Sequence, residues 1–372
     1  MHKNALWLLI PIGLMLVLFG TQPGKKNVNP TVVLSPTPLQ KIKIHSSTKG
    51  IFIPYWASEL SENDYSYNAF YYFGIAPTKE GMIEKDGGYQ NMTLVRGVDE
   101  KKKKLVLRML DASITEVLLE STVFQKKLNE EVLQIMDDTP FSGIVIDMEV
   151  PFTLQSDKQK QITNFVQQMC TAFHANYKSC DMLIYGDFAY RKRPYDLKKL
   201  GEITDKILLM AYDFHKAGGE PGPNFPFDSG STISSSLRVS SLSNKGGPEA
   251  VDYGYDFKTM ISDATALVPQ EKIEVVFGMY GYNWTMNEQG TPLQTAQALS
   301  LNEIKTLNSK MLHVTSYMLH VNDAQEKNIQ YTDNEGRNHI IWYEDEESAA
   351  VKIKYLQEQG IGQASFWAYG YY

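Results

Sequence analysis

Eight short apolar runs recur along this 372-residue chain from residue 50 onward, separated by stretches with helical periodicity. The runs cover residues 50–56, 69–75, 104–110, 143–149, 182–187, 206–213, 272–280 and 362–368. The clearest helical patterns lie at 115–136, 157–176, 196–203, 257–268 and 346–358. Strands that alternate with helices need right-handed crossovers, and crossovers build parallel sheets. Eight such units predict an α/β chain closed into a (β/α)8 TIM barrel, with its chemistry at the C-terminal ends of the strands. An open doubly wound sheet is the competing arrangement. It would carry a glycine-rich phosphate loop after its first strand, whereas Pro54-Tyr-Trp-Ala-Ser58 follows here.

Two connections are longer than a barrel requires. Residues 214–256 are rich in Gly, Ser, Pro and Asn, and residues 281–361 leave room for a small β-rich insertion, placed at 281–342, before the last helix. The barrel itself is assigned to 47–372. Ahead of it, His2-Lys3-Asn4 and the apolar run to Gly20 form a cationic head and a hydrophobic stretch, which predicts export. Residues 1–22 are a signal peptide or a membrane anchor, and both alternatives stand. Residues 23–46, with Pro23, Pro30, Pro36 and Pro38, read as an extended linker. The expected location is extracellular or at the cell surface, with membrane contact only through that first segment. A net charge of −7 argues against nucleic acid as a partner. Cys170 and Cys180 fit no metal motif and form either a local disulfide or two thiols. The lysine run at 101–104 reads as a solvated approach to the third strand, and His215 as a surface histidine.

The fourth run, Phe141-Ser-Gly-Ile-Val-Ile-Asp-Met-Glu149, ends in two carboxylates two residues apart. Alternation along a strand puts Asp147 and Glu149 on one face. Carboxyls in such a place have raised pKa values, as acid catalysis near neutral pH requires. Other strand ends add to the same rim. The sixth ends Leu208-Leu-Met-Ala-Tyr-Asp213, so Met210 and Tyr212 share the inward face and Asp213 opens the loop. Tyr185-Gly-Asp187, Ala364-Ser-Phe-Trp-Ala368 and Tyr55-Trp56 end the fifth, eighth and first. Converging polar and aromatic groups are the layout of a sugar cleft.

These residues resemble the family-18 glycoside hydrolases, which include chitinases and N-acetylglucosaminidases. That family's strand-four signature, Asp-Gly-x-Asp-x-Asp-x-Glu, shares its Gly, last Asp and Glu with Ser142-Gly-Ile-Val-Ile-Asp-Met-Glu149. Its strand-six Met-x-Tyr-Asp resembles Met210-Ala-Tyr-Asp213, and its strand-eight Trp resembles Trp367. The stretches 218–223, 280–284 and 339–345 are similar to the bacterial spore-germination branch. The resemblance implies retaining hydrolysis assisted by the substrate's own acetamide. Glu149 would be the acid and base, Asp147 would steady the acetamide, and Tyr212 with Asp213 would hold its oxygen. Trp367 would lie under the distorted sugar, with Met210, Tyr55, Tyr185, Asp187 and Trp284 as further substrate contacts. It implies no metal and no organic cofactor, a glycan containing N-acetylglucosamine as partner, and a monomer. A catalytically silent glycan-binding protein on the same barrel is the alternative.

Two departures bear on the chemistry. Ser142 and Val145 stand where the family carries Asp, and Arg108-Met-Leu-Asp111 stands in place of its strand-three Ser-x-Gly-Gly element. An Arg beside a carboxylate lowers its pKa. The expectation is therefore an Arg108–Asp147 pair across adjacent strands that keeps Asp147 ionised.

Overall fold

A computed structural model describes residues 48–60, 67–149, 151, 154–229, 254–311, 317–321 and 324–372. The leader and linker assigned to residues 1–46, and most of the long loop after the sixth run, lie outside the described residues. Eight parallel strands close the barrel: β1 (Thr48–Pro54), β2 (Ala69–Ile75), β3 (Lys103–Met109), β4 (Gly143–Met148), β5 (Ser179–Tyr185), β6 (Ile207–Ala211), β7 (Ile273–Gly278) and, last in the chain, β13 (Gln363–Trp367). Around the ring the order is β1-β13-β7-β6-β5-β4-β3-β2. The fold is thus the expected (β/α)8 barrel, and its insertion falls between the seventh and eighth staves.

The crossovers are α1 (Gly87–Gln90), α2 (Ala112–Glu120), α3 (Thr122–Asp138), α4 (Ser156–Ala175), α5 (Leu197–Ile203), α6 (Phe257–Thr265) and α8 (Glu346–Glu358). Where the periodicity suggests one helix over 115–136, there are two. Ser121 breaks the run in extended backbone while its hydroxyl caps the second helix at the amide of Phe124. Asp111 caps α2 through the amides of Ser113 and Ile114. The disulfide alternative holds for the cysteines: Cys170 on α4 is bonded to Cys180 on β5.

Strand alternation sorts the barrel interior into layers. Phe52, Val106, Val145, Leu183, Leu208 and Val276 meet in the middle. Beneath them is a layer of buried charge: Lys206 Nζ lies 2.9 Å from Glu274, which also accepts from the Tyr71 hydroxyl at 2.7 Å and from Ser365. Burial alone would raise the Glu274 carboxyl, but Lys206 and the hydroxyl donors outweigh it and hold it below its usual range. Lys104 reaches into the same layer and pairs with buried Asp181. Lys103 is also buried, its ammonium donating to the carbonyl of Val95. Half of the lysine run is therefore structural rather than solvated, because strand alternation turns Lys104 into the barrel.

Between β7 and α8 stands an antiparallel sheet of five strands, in the order β10-β11-β12-β8-β9. These are β8 (Tyr280–Met286), β9 (Gln297–Ser300), β10 (Tyr317–Val321), β11 (Lys327–Thr332) and β12 (Asn338–Tyr343), with α7 (Leu301–Met311) between β9 and β10. Only Met279 separates β8 from β7. Among the described residues no helix is long and apolar enough to cross a membrane.

Candidate active site

The top layer of the barrel holds the carboxylates. Arg108, Asp147 and Leu183 are in register across β3, β4 and β5, and Tyr185 is in register with Met210 on β6. Asp147 is fully buried, and neither of its oxygens has a hydrogen-bond partner. Burial pushes its carboxyl well above the usual range, and neighbouring Glu149 pushes it the same way. Glu149, just past the end of β4, is half-buried. Burial raises its carboxyl too, and Asp213 adds to the shift. A hydrogen bond from Tyr185 and the charges of Lys216 and Arg193 pull it back without reversing it.

The Arg108–Asp147 pair is not formed. Arg108 Nε donates to the Gly74 carbonyl at 2.8 Å and Nη2 to Asp86 at 2.7 Å, with the guanidinium over the Tyr55 ring at 4.6 Å. Its charge favours ionised Asp147 from the adjacent strand, but desolvation dominates and Asp147 is held toward the protonated form.

Tyr212 lies in the combined field of Glu149, Asp147 and Asp213, and burial with these anions pushes its phenol well above its usual range. It needs Gly278 on the adjoining stave, where an added Cβ would come within 2.6 Å of the Tyr212 Cβ. Asp213 turns the chain out of β6 in the left-handed region, at φ +56°. Two phenols from the insertion hold its carboxylate: Tyr280, and Tyr282 at 2.8 Å. The Asp213 amide donates to the Asn224 side chain at 2.8 Å. Met210 is buried among the interior side chains, one pleat below Tyr212, and forms floor rather than wall.

Trp367 ends β13, with its ring 4.7 Å from Phe73 and 6.3 Å from Trp56. Trp56 is 51% exposed. Of the pair that ends the first strand it is Trp56, not Tyr55, that lines the mouth, since Tyr55 is turned under Arg108 and packs against the outer core. Alternation carried on from inward-facing Phe52 would have found it.

Two other expected contacts are placed differently. Asp187 is buried and spent on Arg191 and on Arg193, whose Nε is 2.9 Å away, so it anchors cations instead of meeting a ligand. Arg193 in turn lies over the Tyr185 ring at 4.0 Å. Trp284 is fully buried inside the insertion, where its indole N–H donates to the Gly219 carbonyl at 3.0 Å. It packs the wall and cannot touch a substrate. Sequence reasoning missed Tyr195, whose buried hydroxyl donates to the Met148 carbonyl at 2.8 Å and steadies the backbone between the two acids.

A buried ion cluster supports the loop beyond Asp213. Lys352 on α8 pairs with Glu326 at 2.7 Å and with Glu344, and it donates to the Phe225 carbonyl at 2.6 Å. Glu326 also accepts from the amides of Asn224 and Phe225.

Residues 69–371 match the family described as Glycosyl hydrolases family 18. A curated relative, the cortical fragment-lytic enzyme of Bacillus anthracis, is 25% identical over 264 residues, covering 70% of this chain and 53% of that protein. The chain thus spans about half the length of that relative. Among solved structures, the Bacillus cereus spore cortex-lytic enzyme SleL superposes with a TM-score of 0.64 at 18% identity, over 87% of this chain and 71% of that one. The class V chitinase of Nicotiana tobaccum gives 0.67 at 13% identity, over 86% and 93%. At these identities the structures attest the fold alone.

Proposed function

The chain belongs to the glycosyl hydrolases of family 18, and from that premise we propose that it cleaves β-1,4 linkages in a glycan containing N-acetylglucosamine, with retention and with the substrate's acetamide as nucleophile. Glu149 gives its proton to the glycosidic oxygen as the bond to the anomeric carbon breaks. The acetamide carbonyl oxygen attacks that carbon and forms an oxazolinium ion. Asp147, buried and free of partners, accepts the acetamide N–H and steadies the positive charge. Tyr212, positioned through Gly278 and Asp213, donates to the acetamide oxygen. Trp367 floors the site and Trp56 widens its apolar face. Glu149 then takes a proton from water, which opens the oxazolinium ion and restores the acid.

The observation that carries this reading is Glu149 itself: a carboxyl held toward its protonated form at the mouth of a family-18 barrel, beside a second, unpartnered acid. The cortex-lytic relatives favour spore-cortex glycan over chitin as the polymer. The Cys170–Cys180 disulfide supports work in an oxidising compartment, after export through the apolar N-terminal segment. The test is release of reducing ends from chitooligosaccharides and purified cortex glycan by the full chain and by Glu149→Gln. A loss of about 10³-fold, within the span for a removed general acid, is expected, with the β-anomer as first product. Equal rates in the two proteins, or an α-anomer released first, would end the proposal.

A further inference from the structure

Beside the two acids lies a cleft of about 410 Å³ whose lining includes Arg191, Arg193, Phe214, His215, Lys216 and Glu220. Its cations are fixed in place. Arg193 is bonded through Nε and Nη2 to Asp187 beneath it, and Arg191 bonds Asp187 and the Phe214 carbonyl at 2.8 Å. Lys216 is exposed, and among the described residues it pairs with no carboxylate. Its ammonium lies 4.9 Å from the centre of the Tyr185 ring, the ring that Arg193 also covers, and the Tyr185 hydroxyl bonds Glu149. Against these three cations stand Asp187, already engaged, and Glu220 on the rim, so the cleft is net positive in a chain of net charge −7. A polymer of N-acetylglucosamine alone is uncharged and gives these cations nothing to neutralise.

We infer that this cleft receives a carboxylate carried on the sugar next to the scissile bond, as in an N-acetylhexosamine bearing a lactyl ether, with Lys216 as its direct partner and Arg191 and Arg193 as supporting charge. The inference rests on the hydrolase reading and deepens it by naming an acidic glycan as the substrate class. Tyr185 ties the two together, since one ring carries the cations and positions the proton donor.

The test is calorimetric binding to the full chain carrying Glu149→Gln, which holds ligands without cleaving them. Four tetrasaccharides serve as probes. The first alternates N-acetylglucosamine with N-acetylmuramic acid and has free lactyl carboxylates. The second is the same sugar as the neutral lactyl methylamide. The third has the lactyl group amidated by a dipeptide with its own carboxylates, and the fourth is chitotetraose. The free carboxylate is expected to bind about tenfold tighter than the methylamide, the scale of one charge-assisted bond. That gap should close on adding Lys216→Met, survive Lys216→Arg, and shrink at high salt. Equal affinity for the first two probes, or a gap that persists in the Lys216→Met protein, overturns the inference and leaves the hydrolase reading untouched. A gain for the dipeptide probe alone moves the anchor from sugar to peptide and overturns it as stated. Failure of all four to bind sinks both readings together.

Discussion

Asp147 is a carboxyl with no hydrogen bond in a fully buried place, which is costly for its charged form. An acid whose pKa is higher folded than unfolded holds its proton more tightly in the fold. It stabilises the protein below the ordinary carboxyl range, and that contribution is lost as pH rises toward the folded value. Asp147→Asn, which cannot ionise, should therefore raise Tm at neutral pH, by about 2–4 °C for each kcal/mol recovered, while hydrolysis falls. A lower Tm measured by calorimetry would contradict this. Tyr185→Phe removes the bond that favours ionised Glu149, so the carboxyl should rise further and the alkaline limb of the kcat/KM profile should move to higher pH. A limb that stays in place, or moves down, would remove Tyr185 from the site. Asp147 and Glu149 were legible in the sequence because a two-residue period on an apolar strand leaves only one face for both. The Arg108 pairing was not, because the sequence placed Arg108 beside Asp147 but gave no sign that Asp86, the N-cap of a one-turn helix on the other side, would take the guanidinium.

At the scale of elements, the Lys352 cluster joins α8, β12 and the loop after β6 with buried charge. Lys352→Met would strand two carboxylates and should cost about 3–5 kcal/mol, read as a fall in Tm. Burial pushes Glu344 up to about 8 despite the opposing charge of Lys352. Its contribution to stability is complete below its ordinary value of 4.5 and is lost as pH climbs through about 8, so Glu344→Gln should flatten that decline. The eight staves were readable from apolar runs bounded by turn residues. The break at Ser121 was not, since the hydrophobic spacing continues across it and only the cap shows where the helix restarts. Trp284 was misread for a related reason: an aromatic next to a site motif looks the same in sequence whether its strand turns it toward the cleft or into the sheet.

For the molecule as a whole, the Cys170–Cys180 bond pins α4 to β5, the stave that ends in Tyr185. Its sequence separation is only 10. On the loop-entropy view the double Cys→Ser variant should lose about 2–3 kcal/mol, seen as a lower urea midpoint. An unchanged midpoint would mean that packing alone holds this crossover. The barrel's closure was legible from eight repeated units, but the antiparallel arrangement of the insertion was not, because its strands are short and pair outside chain order.

Residues 273–286 run from barrel stave to insertion strand with one residue between them, and the two phenols that grip Asp213 stand at the start of that second strand. The insertion is consequently no exchangeable cassette. A chimaera spliced at residue 281 keeps Tyr280 but discards Tyr282, leaving Asp213 with half its grip, whereas a seam placed beyond Tyr282 preserves both and lets the rest of the sheet be traded.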